Sequence, residues 1–342
     1  MTFSVPDSLA WTIVLFVVGL GLICVAGDKF VDASVAIARR LKIPQIVVGA
    51  TIVSLGTTLP EILVSSTAVL GSAHSPEISV GNALGSIICN TALIAGIGQL
   101  IRPAKEVKAK SVSWRMIFFV ATAALLFLTV LFTPESDFIN KEGAAEHAVG
   151  TVVRAVGIVL VLGFAAYTFL SIRWKDSDGE AAFDESEKLM PAWAAILMLV
   201  VSAAGLFVGS NLLVENGQLL AQRMGVSDRV IAVTVIALGT SLPELVTTVT
   251  SAIKGQGDVG LGNIIGANLF NMLLVIGIPS TIAGDIVFTA KAQYIDLPLA
   301  VLVMVGLIVP MLIRKMGSRV HGAILVLVYL AYCVYSFLAA GA

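Results

Sequence analysis

Residues 51–61 read TIVSLGTTLPE and residues 234–244 read TVIALGTSLPE. Seven of the eleven positions are identical and the other four are conservative exchanges. A second pair of segments follows: GNALGSIICN at 81–90 answers GNIIGANLFN at 262–271, matching at both glycines of each GNxxG and at both asparagines. Apolar helices drawn from a restricted alphabet share scattered Leu and Val, but they do not share LGTxLPE twice. The chain is an internal duplication.

The surroundings of these segments set the solvent. Of 342 residues, 58% are hydrophobic and only 13% are charged, with a mean hydropathy of +0.98. This composition describes an integral membrane protein, not two or three soluble domains. A spanning helix needs about 20 apolar residues, and ten stretches qualify: 9–31, 44–70, 77–100, 114–133, 148–172, 191–222, 227–253, 259–283, 292–313 and 320–340. Lipid cannot satisfy an open strand edge, and runs this continuously apolar are helices, not barrel strands. The expected fold class is therefore all-α, ten transmembrane helices arranged as two five-helix repeats.

The repeats occupy 1–172, with their conserved-looking motif at 49–98, and 191–342, with the motif at 232–279. Between them RWKDSDGEAAFDESEK, within a linker at 173–190, is hydrophilic. Its six carboxylates lack EF-hand spacing and the loop glycine, so the stretch reads as a solvated linker. Five helices per repeat is an odd number, so the second copy enters the bilayer from the opposite side, and the repeats are antiparallel.

Charge distribution gives the orientation. Arg39, Arg40, Lys42, Arg102, Lys105, Lys108, Lys110, Arg115, Arg173, Lys175, Lys188, Lys254, Arg314, Lys315 and Arg319, fifteen in all, fall on the loop side opposite the N-terminus, against four on the N-terminal side, Lys141, Arg223, Arg229 and Lys291. By the positive-inside rule both termini face away from the cytoplasm, in a multi-pass protein of the cell (inner) membrane. MTFSVPDSLAW lacks the cationic start and the small-residue cleavage site of a removable signal peptide. A net charge of -1 without a long cationic block argues against nucleic-acid binding. Cys24, Cys89 and Cys333 lie in apolar segments without CxxC spacing and read as buried thiols. No nucleophile–base constellation or phosphate-binding loop suggests an enzyme or a cofactor, and no obligate protein partner is evident.

Glu61 and Glu244 lie deep inside spans that offer no nearby Lys or Arg. An ionised carboxylate there costs several kcal/mol unless it is partnered, and the natural partner is a mobile cation bound at a site built twice. The neighbouring residue types suit a hard cation, which takes oxygen ligands. Thr57 and Thr58 precede Glu61 by four and three residues and share its helical face, as Thr240 and Ser241 do before Glu244. Gly56 and Pro60, like Gly239 and Pro243, form a Gly-x-x-x-Pro element expected to break its helix and free carbonyls. Ser86 and Asn90 fall at i and i+4, with Asn271 equivalent to Asn90. Gly81 and Gly85, and Gly262 and Gly266, have the spacing that lets helix backbones approach. For Asn82 and Asn263, interhelical hydrogen bonding is at least as natural as ion contact. Asp28, Lys29 and Asp32, expected at the end of the first span, and Glu215 near the end of the sixth, read as snorkelling or paired.

At these residues the sequence resembles the cation/calcium exchanger superfamily, in its prokaryotic sodium/calcium exchanger branch. The resemblance covers nearly the whole chain in helix count, central loop and paired repeats. It implies a sodium/calcium antiporter with calcium and sodium ions as transported substrates, held between the second, third, seventh and eighth helices. Transferred by motif position, the carboxylate ligands are Glu61 and Glu244, the hydroxyl ligands Thr57, Thr58, Thr240, Ser241 and Ser86, and the amide ligands Asn90 and Asn271. Carbonyl ligands would come from Ala50 or Val53 and from Val233 or Ile236. The chain departs from the family pattern where Ala267 removes a hydroxyl and where Asn271 replaces the aspartate of potassium-dependent branches. Calcium/proton exchange is the nearest alternative, and a cation channel a more distant one. The orientation has a direct test: a lone cysteine at Ser177 should be labelled only from the cytoplasm and one at Ser4 only from outside, and the opposite pattern inverts it.

Overall fold

Every residue from 259 to 277 is buried, as befits a helix that is apolar all round and has no face for lipid or water. The computed structural model describes residues 9–70, 76–104, 109–133, 148–174, 190–224, 239–284 and 286–339. In them the chain forms α1 (Leu9–Leu41), α2 (Gln45–Leu70), α3 (Ile78–Ile101), α4 (Ala109–Phe132), α5 (Arg154–Arg173) and α6 (Ala192–Arg223). The second half continues with α7 (Leu242–Ile253), α8 (Gly257–Ala283), α9 (Ala292–Arg314) and α10 (Arg319–Ala339). All but α7 are long and apolar enough to cross a bilayer. The first half of the expected seventh span and most of the linker at 173–190 lie outside the described residues. α8 is the central element, with α2, α3, α5 and α7 among its neighbours. Val17, Leu162, Val200 and Leu327, on α1, α5, α6 and α10, are exposed, which is the normal state of apolar side chains bathed in lipid.

Loops at the two ends alternate as ten spans require. At one end a short antiparallel ribbon pairs β1 (Ala148–Val152) with β2 (Ile286–Thr289), joining the α4–α5 and α8–α9 connections. At the other, Arg40 Nη1 donates to the Met190 carbonyl at 3.4 Å, Gly317 N to the Ala104 carbonyl at 2.7 Å, and Lys254 Nζ reaches Asp28 Oδ1 at 2.7 Å and Asp32 Oδ1 at 2.5 Å.

The structure corrects several expectations. Of the three thiols expected to be buried only Cys89 is; Cys24 is exposed on α1 and Cys333 half-buried on α10. The fifth span does not begin at 148: the β-branched run there pairs as β1, and its helix starts at Arg154. α1 continues to Leu41 because nothing between residues 32 and 41 breaks a helix, so Asp28 and Asp32 sit within it rather than at its end. Arg115 is not a loop residue. It is fully buried in α4, donating to the Ser111 carbonyl at 2.9 Å and to the Ser111 hydroxyl, with its guanidinium 4.6 Å from the centre of the Trp114 ring. The fourth helix starts earlier than its apolar run because Lys110 and Ser111 form its first turn. The Gly-x-x-x-Pro element does not break α2, which runs unbroken through Gly56 and Pro60. The irregularity lies one turn earlier, as a π turn at Gly49–Val53. In the second copy the helix does begin afresh at Leu242, after a turn at Thr240 and Ser241, with Pro243 in the first turn where its missing N–H costs nothing.

Glycines bring the backbones of α2 and α8 into contact. A Cβ on Gly266 would lie 2.6 Å from the Ala50 carbonyl oxygen and would strike the Ser54 hydroxyl; one on Gly262 would strike the Ile46 carbonyl, and one on Gly49 the Val259 carbonyl. Gly81 and Gly85 meet no described atom within 4 Å. α1 and α6 approach in the same way, since a Cβ on Gly19 would sit 3.0 Å from the Gly209 carbonyl and one on Gly209 3.1 Å from that of Gly19. Gly266→Val should therefore destabilise the protein by about 2 kcal/mol through overpacking, whereas Gly21→Ala, where a Cβ meets nothing within 4 Å, should not. Thermal unfolding in detergent checks the pair.

Candidate ion-binding site

Two copies of Pro-Glu reach the protein interior by different routes. Glu61 is in the middle of α2, one residue after Pro60, whose missing N–H leaves the Gly56 carbonyl without its helical donor. Glu244 is in the first turn of α7, where free backbone N–H groups and the positive end of the helix dipole favour an anion. Both side chains are fully buried, and they are close enough for their charges to interact. Neither carboxylate oxygen of either residue has a hydrogen bond of ordinary geometry, although the Thr57 and Thr58 hydroxyls of α2 lie near enough to interact with Glu244 across the repeat boundary. Among the described residues no Lys or Arg forms an ion pair with either acid.

The expected ligands gather around the two acids. Thr57, Thr58, Ser86, Asn90, Ser241 and Asn271 are all buried, while Thr240 is half-buried in the turn before α7. Ser241 Oγ donates to Ser86 Oγ at 3.5 Å, a long contact that joins α7 to α3. Among the described residues the amides of Asn90 and Asn271 have no hydrogen-bond partner at either polar atom, and the Thr58 hydroxyl has no hydrogen bond of ordinary geometry. Asn90 lies in a π turn of α3, Cys89–Ile94, and Asn271 opens the matching π turn of α8, Asn271–Ile276. The α3 turn packs against α7 and the α8 turn against α2, so each turn borders the opposite repeat. A π turn interrupts the regular backbone ladder and is found disproportionately at functional positions.

Other polar groups support this arrangement. Asn82 Nδ2 donates to the Glu61 carbonyl at 3.1 Å and to Ser65 Oγ at 3.0 Å. Thr57 Oγ1 donates to Asn263 Oδ1 at 3.2 Å, and Ser54 Oγ to the Asn263 carbonyl at 3.0 Å. Interhelical bonding is thus the observed role of Asn82 and Asn263. The Ala50 carbonyl accepts from the Tyr167 hydroxyl at 3.1 Å, a use that sequence reasoning missed, and Val233 and Ile236 lie outside the described residues. Ala267 is buried without a hydroxyl, and beside it Asn268 Nδ2 donates to Thr91 Oγ1 at 2.6 Å. Also missed were the hydroxyls of Thr247, Thr248 and Ser251, which are buried on α7 and have no hydrogen-bond partner. Their i+3, i+4 and i+7 spacing from Glu244 was the available signal.

Gly56 and Gly239 have a further role, since a Cβ on Gly56 would lie 3.1 Å from Phe30 Cζ of α1, and one on Gly239 3.1 Å from Val214 Cγ1 of α6. The repeated glycine is therefore the place where α1 and α6 lean on the site helices.

Comparison with known proteins agrees with this architecture. The family model described as sodium/calcium exchanger protein matches residues 11–173 and 194–338. The chain belongs to that family. It is accordingly a multi-pass membrane transporter of the sodium/calcium exchanger type and not an enzyme. CaxA of Alkalimonas amylolytica is 33% identical over 327 residues, covering 93% of this chain and 96% of the relative. The sodium/calcium exchanger MaX1 of Methanosarcina acetivorans is 29% identical over 353 residues, 94% and 97% of the two chains. The solved structure of the sodium-calcium exchanger NCX_Mj soaked with 2.5 mM Na+ and 1 mM Sr2+ superposes with a TM-score of 0.76 at 26% identity, over 96% of this chain and 99% of that one.

Proposed function

We propose that this exchanger moves calcium out of the cytoplasm against entering sodium, holding the ions in turn between Glu61 and Glu244. The observation that carries the reading is the pair of fully buried carboxylates whose four oxygens have no hydrogen bond of ordinary geometry among the described residues. Leaving such charges unpaired costs several kcal/mol each, and a divalent cation between them removes the cost. Thr57, Thr58, Thr240, Ser241 and Ser86 would supply hydroxyl oxygens, and Asn90 and Asn271 amide oxygens, completing the oxygen-rich shell that calcium takes.

Access would alternate as α1 and α6 move along the site helices. These two helices touch each other through glycine backbones and meet α2 at Gly56 and the segment before α7 at Gly239, contacts that would let them shift along the site helices. With two carboxylates and no third acid among the described site residues, the site charge of about -2 matches one calcium, and an added potassium ion would be held against repulsion in a low-dielectric interior.

Two measurements test this. Glu61→Gln or Glu244→Gln, which removes charge but little volume, should reduce calcium uptake into sodium-loaded proteoliposomes to the level of protein-free vesicles while leaving membrane insertion intact; near-normal uptake in either variant would refute the site. Replacing potassium by choline on both sides should leave the wild-type rate unchanged, and a several-fold loss would show that a further acid reaches the site. Calcium movement that ignores sodium and follows a proton gradient would transfer the same carboxylates to proton exchange.

A further inference from the structure

Beyond Glu244, the same face of α7 continues as a row of hydroxyls. Thr247, Thr248 and Ser251 stand three, four and seven residues further on, and at 1.5 Å per residue the row extends roughly 10 Å along the helix axis. All three are buried, and none of the three hydroxyls has a hydrogen-bond partner among the described residues. Hydroxyls in apolar helices ordinarily bond back to a carbonyl one turn earlier; in this chain Ser34 donates to the Phe30 carbonyl at 2.6 Å, Thr51 to Val47 at 2.7 Å and Thr122 to Phe118 at 2.9 Å. The row on α7 forgoes that bond.

Glycines of α3 and α8 pack directly against the row. A Cβ on Gly260 of α8 would lie 3.3 Å from Ser251 Cβ and 3.5 Å from the Thr248 carbonyl, and a Cβ on Gly98 of α3 would lie 3.1 Å from Thr248 Cγ2. At the far end a cavity of about 30 Å³ opens between α3, α7 and α8, lined by Thr248, Gly98, Gln99, Arg102, Gly257 and Gly260. That is room for about one water molecule with polar partners. The first repeat has no counterpart. Val64, Ser65 and Ala68 follow Glu61 at the same spacings, and the Ser65 hydroxyl is engaged by Asn82.

We propose that the row Thr247–Thr248–Ser251 is the passage by which ions travel between Glu244 and the end of the molecule that carries Arg102 and Lys254. The proposal rests on the antiport reading of the carboxylate site. A cation leaving water needs oxygen at short intervals to replace its hydration shell, and the oxygens must bind weakly enough to release it. Neutral hydroxyls free of their own helix supply such oxygens; the helices touch along the row in this structure, and because glycines stand opposite it, a small parting of α3 and α8 from α7 opens the passage. The sequence asymmetry makes this passage a property of one half of the transport cycle alone.

The test uses the full chain. In the Thr248→Val, Ser251→Ala double variant, calcium uptake into sodium-loaded proteoliposomes should fall about tenfold, while equilibrium calcium binding to the detergent-solubilised protein stays at the wild-type level because the carboxylates are untouched. Unchanged uptake would overturn the passage, and so would loss of binding in parallel with uptake, which would make the hydroxyls part of the binding site or the fold. On a background with Cys24, Cys89 and Cys333 replaced, Thr248→Cys should be blocked by a small cationic methanethiosulfonate added on the side from which a cysteine at Ser177 is labelled, and blockage from the other side would overturn the assignment. A wild-type protein that neither binds nor exchanges calcium would refute the antiport reading itself, whereas active wild type with an active double variant refutes the passage alone.

Discussion

Two carboxylates are held inside a protein that is itself inside lipid, and among the described residues no basic side chain is paired with them. The rest of the architecture follows from making that arrangement tolerable. α8 is covered on every side so that the site is walled from the acyl chains. Gly49, Gly262 and Gly266 let α2 and α8 meet backbone to backbone, which leaves space for side-chain oxygens between helices instead of filling it with apolar packing. Asn82, Asn263 and Tyr167 engage polar atoms adjoining the two acids, while among the described residues the carboxylates themselves have no hydrogen bond of ordinary geometry.

Duplication supplied the two halves, and folding made them unequal. The same LGTxLPE is continuous helix in α2 and a fresh helix start in α7, so Glu61 depends on a carbonyl-rich proline turn while Glu244 has a helix N-terminus beneath it. Ser86 has Ala267 as its counterpart, and the α7 hydroxyls have Val64 and Ala68. A site with exact twofold chemistry would draw the same residue types from both repeats. This one does not.

Much of this was written in the sequence where residue type and spacing suffice. The ten spans follow from apolar run length, and the pairing of the repeats from the doubled LGTxLPE. Thr57, Thr58, Thr240 and Ser241 follow from their positions three and four residues before an acid with nowhere else to go, and Ser86, Asn90 and Asn271 from the second repeated segment and the family resemblance. Arg115 and the start of α5 were misplaced for one reason: hydropathy marks where lipid begins, not where a helix begins or a β-branched run pairs. The Gly56 reading failed because a single proline can be accommodated when a π turn upstream adjusts the helix. The contact of that glycine with Phe30 depends on which helix lies across it, and no local pattern records that.

The π turns of α3 and α8 carry a consequence for how the site is encoded. Each contains one residue more than a regular turn needs, so the helix beyond it is rotated by about 100° relative to an uninterrupted one. The stripe that faces the interior before Cys89 and the stripe that faces it after Ile94 are therefore out of phase, and a helical wheel drawn through the whole span blurs them. Loss of a single residue inside Cys89–Ile94 or Asn271–Ile276 would leave a more regular helix and swing one end of the segment away from its neighbours. The aim of the asparagine amides is thus stored in the chain's residue count as much as in its alphabet.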